Sequence, residues 1–160
     1  MGDNKLTHVD AEGAARMVDV SGKAVTARTA RARCKVLLAP KTFAMLTDKS
    51  LPKGEALGTA RIAGIQAAKK TAELIPLCHP LPITYADVRL TPLDGENAVE
   101  VESEVRTTAP TGVEMEALVA AQIAAATLYD MVKAVQKDVR ITDLRVVYKC
   151  GGKSGEFVNE

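Results

Sequence analysis

Aromatic side chains are scarce in this chain. They make up 3% of its 160 residues, and tryptophan is absent. Platforms that stack the bases of single-stranded RNA or DNA are built from such rings, so the composition weighs against that class of function. The core must rely instead on Ala, Val, Leu and Ile. Cysteine is limited to Cys34, Cys78 and Cys150, an odd number with no CxxC pair. That argues against a disulfide framework and against a structural zinc site. Charge of one sign is also lacking: the formal net charge is +1. No broad attraction to nucleic acid or membrane follows, and any anion site must come from locally placed lysines and arginines. Met1–Asp10 holds no apolar run of the kind a secretion signal needs. The longest apolar stretch, Ala117–Tyr129, is interrupted by Gln122 and falls short of the ~20 residues that cross a bilayer. A cytoplasmic location is therefore expected.

What is present fits one α+β domain over residues 1–160, with 1–13 and 151–160 expected to be mobile. Met17–Val20 and Val25–Leu38 have strand composition and are joined by a Ser21-Gly22-Lys23 turn. In the longer segment Thr26, Arg28, Ala30, Ala32, Cys34 and Val36 share one face, and Ala27, Thr29, Arg31, Arg33 and Lys35 share the other. The small residues mark the first face as the packed one, where Arg28 stands out as a long cation. A short helix is expected over Lys41–Thr47, a loop over Asp48–Leu57, and a helix over Thr59–Leu74 that stops before Pro76. Ile83–Thr91 and Ala98–Thr107 read as strands around an Asp94-Gly95 turn. In the second of them Val99, Val101 and Val105 oppose Glu100, Glu102 and Glu104, which predicts a solvated glutamate face. A helix over Val113–Lys137 and a strand over Ile141–Lys149 complete the pattern.

From Val25 onward the order is βαββαβ. This is the ferredoxin-like split pattern, an antiparallel sheet covered by two helices, with the leading strand as an addition. The last helix is apolar nearly all round between Ala117 and Leu128. A helix buried on one side only would not be. It is expected to be covered by the sheet on one side and by a second subunit on the other.

Several residues invite both a structural and a chemical reading. Asp130, Lys133 and Lys137 fall on one helical face, as a surface ion pair or as an acid/base group at the edge of a buried surface. A lysine held close to other cations can have a lowered pKa. Glu114-Met115-Glu116 opens the same helix behind Thr111, a candidate N-cap. Its carboxylates either complement the helix dipole or accept from the N1–H and amino group of a guanine edge. Glu116 and Asp130 lie nearly in line but roughly 21 Å apart along the axis, too far for one small pocket. Either the ligand is long or two subunits share the site. His79, in a proline-bounded loop beside Cys78, is either a structural or a catalytic histidine. The ending Lys149-Cys-Gly-Gly-Lys153-Ser-Gly155 fails the phosphate-loop pattern, since Val147 stands where glycine is needed. It is either a flexible tail or a basic closure over phosphates. Lys53, in Leu51-Pro-Lys-Gly54, is either an exposed loop lysine or a phosphate or acid/base residue.

A set of stretches then adds to this reading. They are Thr7-His8-Val9, Met17-Val-Asp-Val-Ser21, Lys53-Gly54, the run from Gly58 to Lys69, Ile75-Pro-Leu-Cys-His-Pro-Leu81, Gly112-Val-Glu-Met-Glu-Ala-Leu118, Tyr129-Asp-Met-Val-Lys-Ala-Val135, and Lys149 to Gly155. Together they closely resemble the cyclic pyranopterin monophosphate synthase family of molybdenum cofactor biosynthesis, over essentially the whole chain. The resemblance implies conversion of 3′,8-cyclo-7,8-dihydro-GTP to cyclic pyranopterin monophosphate with release of diphosphate. It also implies a ferredoxin-like fold and a homohexamer, a trimer of dimers with sites at dimer interfaces. Asp130 takes the position of the family's active-site aspartate, with Lys133 and Lys53 as its catalytic companions. Substrate-binding positions fall on Leu77, Cys78, His79, Glu114, Met115, Glu116, Arg28, Lys149 and Lys153. No resident cofactor or metal is implied. Free triphosphates commonly carry Mg²⁺, and no dedicated ligand set for it is visible. The competing class is a non-catalytic nucleotide- or pterin-binding regulatory module of the same fold, which would bind without turnover.

Overall fold

The computed structural model describes residues 9, 12–153 and 155–159. Residues 1–8, 10, 11, 154 and 160, on which part of the expected mobility falls, lie outside the described residues. The element order is β1 (Thr26–Leu37), α1 (Pro40–Thr47), α2 (Ala56–Ala68), α3 (Thr71–Leu74), β2 (Ile83–Leu93), β3 (Ala98–Ala109), α4 (Glu114–Val132), β4 (Arg140–Cys150) and β5 (Phe157–Val158). The strands form one antiparallel sheet in the order β2-β3-β1-β4-β5. The short β5, which pairs with Tyr148 and Lys149, is not predicted from the tail's composition.

The period-2 pattern of β1 builds the core. Ala30, Ala32, Cys34 and Val36 are fully buried against the helices. On the opposite face Arg31, Arg33 and Lys35 stand across from Glu104, Glu102 and Glu100 of β3. The glutamate row is therefore half-buried and ion-paired rather than simply solvated: Arg33 Nη2 lies 2.6 Å from Glu102 Oε2, and Arg31 Nε lies 3.0 Å from Glu104. Like other part-exposed pairs, each contributes at most about 1 kcal/mol, and their main effect is to fix register.

Three expectations are corrected. Met17–Val20 is not a strand. Two of its carbonyls are taken elsewhere: Lys23 N donates to Val20 O at 3.0 Å, and His79 Nε2 lies 2.7 Å from Val18 O, while the Asp19 side chain accepts from Ser21 N at 2.9 Å. The second correction concerns Thr59–Leu74, which splits into α2 and α3. α2 starts earlier because the Glu55 side chain caps it, accepting from Gly58 N at 2.7 Å. The third concerns α4, which ends at Val132 instead of Lys137, with the next turns tightened by Val135 N donating to Val132 O. Its N-cap is Val113 rather than Thr111, with no side-chain cap bond.

The chain itself covers much of the apolar α4. The sheet lies beneath it and α2 packs alongside. A Cβ at Gly64 would meet Ala120 O at 2.7 Å and the Ala124 Cβ at 3.0 Å, so only glycine permits this approach. α2 thus supplies part of the expected cover. By length and composition α4 could cross a membrane, but 56% of that window is buried within the fold. What α4 leaves exposed is a strip carrying Met115, Gln122, Ile123 and Ala126.

Candidate active site

The antiparallel packing of α2 on α4 brings the loop ahead of α2 to the C-terminal end of α4. Lys53, in that loop, reaches across to Asp130: Nζ lies 2.6 Å from Oδ2. Lys133, one turn on from Asp130, places Nζ 2.6 Å from the other carboxylate oxygen, Oδ1. Two cations from separate elements therefore share one carboxylate. Hydrogen bonds from Lys133 and then Lys53 hold the Asp130 pKa down to about 2, against an ordinary value of 3.8. The same bond to Asp130 pushes the Lys133 pKa up. A lysine beside other cations was expected to shift down; here the carboxylate between them outweighs the repulsion. Lys137 lies past the helix end and takes no part in this cluster.

The N-terminal end of α4 builds a different environment. Glu116 is 4% exposed and lies in the first turn. Burial pushes its pKa up, its own backbone N–H pulls it down, and Glu114 adds to the rise. Leu77, Cys78 and His79, in the loop after α3, line a cleft of ≈ 410 Å³ with Glu114, Met115 and Glu116. Burial, then the charge of Glu116, raises the Cys78 pKa, so this thiol stays protonated at neutral pH and is no nucleophile. His79 Nε2 lies 2.7 Å from Val18 O. A carbonyl only accepts, so Nε2 carries the hydrogen of this bond. Among the described residues no group of three His, Cys, Asp or Glu side chains is arranged to hold a metal ion.

A second cleft, ≈ 650 Å³, adjoins the first and is lined by Arg28, Glu114, Lys153 and Gly152 among others. Arg28 sits on the inner face of β1, as its alternation predicts. Its Nε and Nη2 donate to Ala109 O and Pro110 O, both at 3.0 Å. Lys149 stands opposite Ala30 and shares that face, reaching Glu114 Oε1 at 3.0 Å. Gly151 and Gly152 have φ of +102° and +72°, and a Cβ on Gly152 would strike the Arg28 guanidinium at 2.3 Å. This double-glycine turn lets the tail pass close enough to bring Lys153 to the cleft.

The predicted residues thus form two groups. Leu77, Cys78, His79, Glu114, Met115, Glu116, Arg28, Lys149 and Lys153 cluster around the adjoining clefts. Lys53, Asp130 and Lys133 cluster at the far end of α4. One chain does not bring the groups together. Sequence reasoning missed Lys23 and Thr111–Gly112, which line both clefts. Their only signal was proximity to a turn and a helix start.

Glu116→Gln removes a buried charge. It is expected to raise stability at pH 7 by about 1 kcal/mol. The gain should vanish below pH 4.5, the ordinary value for glutamate, where the wild-type carboxyl is protonated in both folded and unfolded chains. Thermal melts of both proteins across pH 4–8 check this.

The sequence profile of the MoaC family matches residues 17–152, which include every residue of the two groups except Lys153. The cyclic pyranopterin monophosphate synthase of Oleidesulfovibrio alaskensis is 61% identical over 95% of this chain and 96% of its own. That of Chloroflexus aurantiacus is 56% identical over 96% of this chain and 94% of its own. That of Streptomyces coelicolor is 58% identical over 96% and 89%. Identity at this level, across nearly the full length of each protein, means that this chain belongs to the MoaC family.

Proposed function

We propose that the chain is a cyclic pyranopterin monophosphate synthase, a lyase of molybdenum cofactor biosynthesis that acts on 3′,8-cyclo-7,8-dihydro-GTP and releases diphosphate. The observation that carries the reading is the convergence of Lys53 and Lys133 on Asp130, each at 2.6 Å. Rearranging the purine-derived rings needs proton transfers. A hydrogen-bonded ammonium beside a fixed carboxylate is suited to deliver them. Closure of the cyclic phosphate forms a bond from a ribose-derived hydroxyl to the α-phosphorus. The hydroxyl proton is lost, and the bond to the β-phosphate oxygen breaks. The departing diphosphate carries the developing charge, which Arg28, Lys149, Lys153 and Lys53 are suited to stabilise.

The clefts support a division of labour. The Glu114 and Glu116 carboxylates accept from the guanine-derived N–H groups, with Leu77 and Met115 supplying apolar walls. The cationic cleft takes the phosphates, and Mg²⁺ enters, where present, with the triphosphate.

The site is shared between subunits. Roughly 21 Å of helix separates Glu116 from Asp130 in one chain, so the chemical end of one subunit meets the recognition end of another. The exposed apolar residues Met115 and Ile123 on α4 and Ile62 on α2 support burial of the helix layer in an assembly. The assembly is a homohexamer, a trimer of dimers, in the cytoplasm. The order β2-β3-β1-β4 with antiparallel neighbours supports a ferredoxin-like reading, with β5 as an addition.

Incubating the purified protein with the cyclised GTP intermediate tests the assignment. Mass detection is expected to find the cyclic pterin and one equivalent of diphosphate. A folded oligomer that binds the intermediate without converting it would favour the regulatory module instead.

A further inference from the structure

The inner face of β3 runs Val99, Val101, Ser103, Val105 and Thr107, all of them buried. Two hydroxyls therefore lie where packing asks only for apolar groups. Ser103 is 0% exposed and Thr107 is 2% exposed. A buried hydroxyl is costly unless it is hydrogen-bonded, so the partner of each identifies its role. Both reach out of the sheet. Ser103 Oγ donates to Ala117 O of α4 at 2.7 Å, with Ala32 O a longer contact at 3.4 Å. Thr107 Oγ1 donates to Pro82 O at 2.7 Å.

Each bond falls behind one wall of the recognition cleft. Ala117 follows Glu116 in the chain, and Pro82 ends the loop that carries Leu77, Cys78, His79 and Leu81 into the cleft. The start of α4 needs such an anchor. Its N-cap, Val113, makes no side-chain bond, whereas Glu55 caps α2. Lys149 holds Glu114 at 3.0 Å, but among the described residues no ion pair involves Glu116. Where the Glu116 carboxylate stands thus follows from where the first turns of α4 sit on the sheet. One turn on, Cys34 Sγ of β1 meets Ala121 O at 3.8 Å and continues the same line of contacts.

We propose that Ser103 and Thr107 are positioning residues of the recognition cleft, holding its helix wall at Glu114–Glu116 and its loop wall at Leu77–Leu81 in register on one strand. The proposal rests on the nucleotide reading of that cleft. Neither hydroxyl lines the cleft, and each acts through the backbone that it holds. A shift of about 1 Å in either wall is enough to spoil hydrogen bonds to a flat, rigid base.

The test compares the full-length oligomer as wild type, Ser103→Ala, Thr107→Val, Thr107→Ser and Val101→Ala. Valine keeps the shape of Thr107 and removes its hydroxyl, whereas serine keeps the hydroxyl. Val101 is fully buried on the same face and controls for lost packing. With the cyclised GTP intermediate, KM is expected to rise about tenfold in Ser103→Ala and Thr107→Val, the scale of one lost hydrogen bond, while kcat changes little. Thr107→Ser and Val101→Ala should keep the wild-type KM, although Val101→Ala melts at a lower temperature. Calorimetric titration with GTP and with inosine triphosphate, which lacks the guanine amino group, gives a second readout. The preference for GTP should shrink in Ser103→Ala, which loosens the carboxylate wall, and persist in Val101→Ala. A wild-type KM and a wild-type preference for GTP in Ser103→Ala and Thr107→Val overturn the proposal, as does an equal rise of KM in Val101→Ala. A wild type that prefers GTP through Ser103 yet converts no intermediate would sink the assigned reaction and leave the positioning role standing.

Discussion

Lys133→Ala is expected to lower kcat by about 10³-fold, the usual scale for a lost general acid or base. KM should change little, because the proposed proton transfer is an interaction made in the transition state rather than in substrate binding. Stability should change little as well, since the pair is exposed and such pairs contribute little. The protonation states make the prediction sharper. Asp130, held at about 2, is ionised at every pH where the enzyme works. Its stabilising effect is present above 3.8 and is lost only as pH falls through about 2. Lys133 shifts upward, so its share is present below 10.5 and is lost as pH rises through its higher folded value. Lys133 is thus an ammonium at neutral pH, and in the proposed mechanism it acts first as a proton donor. Lys133→Arg separates proton transfer from charge. Arginine keeps the ion pair but holds its proton, so it should be nearly as slow as alanine. Recovery of near-wild-type kcat in Lys133→Arg would assign Lys133 a purely electrostatic role. Steady-state rates of product formation for the two variants decide between these.

Much of the sheet was legible because alternation is a local signal. The two faces of β1 follow from the small residues at every second position, and Arg28 on the inner face follows with them. β2 and β3 follow from their own alternation and the turn between them. Elements that depend on distant partners were less legible. Met17–Val20 has strand composition, yet Val18 O is taken by His79, 61 positions on, and Val20 O by the turn to Lys23. Nothing in the sequence of α4 reveals that Gly64, more than fifty residues earlier, lets α2 pack against it.

The chemical site shows the same division. Helical spacing brings Lys133 to Asp130 but also suggested Lys137, which the early end of α4 removes. Lys53 is 77 positions from Asp130, and no spacing rule links them. Family resemblance joined them, and the fold supplies the reason, an antiparallel helix pair whose ends meet. Lys23 was read only as part of a turn, because its importance lies in which clefts the turn borders.

The second large effect concerns the distance between the two halves of the site. Glu116→Ala removes the buried carboxylate proposed for recognition, and Lys133→Ala removes the proposed proton donor. Each oligomer alone should be nearly inactive. If one site draws Glu116 from one subunit and Lys133 from another, a mixed oligomer contains some sites with both residues intact. Unfolding the two variants together and refolding them forms such mixtures, whereas mixing without subunit exchange does not. The measurement is cyclic pterin production from the cyclised GTP intermediate by the co-refolded mixture, compared with each variant refolded alone. A shared site predicts activity far above the sum of the two variants, reaching a sizeable fraction of wild type. Activity equal to that sum, in oligomers shown by mass to contain both kinds of subunit, would contradict a site built across the subunit boundary.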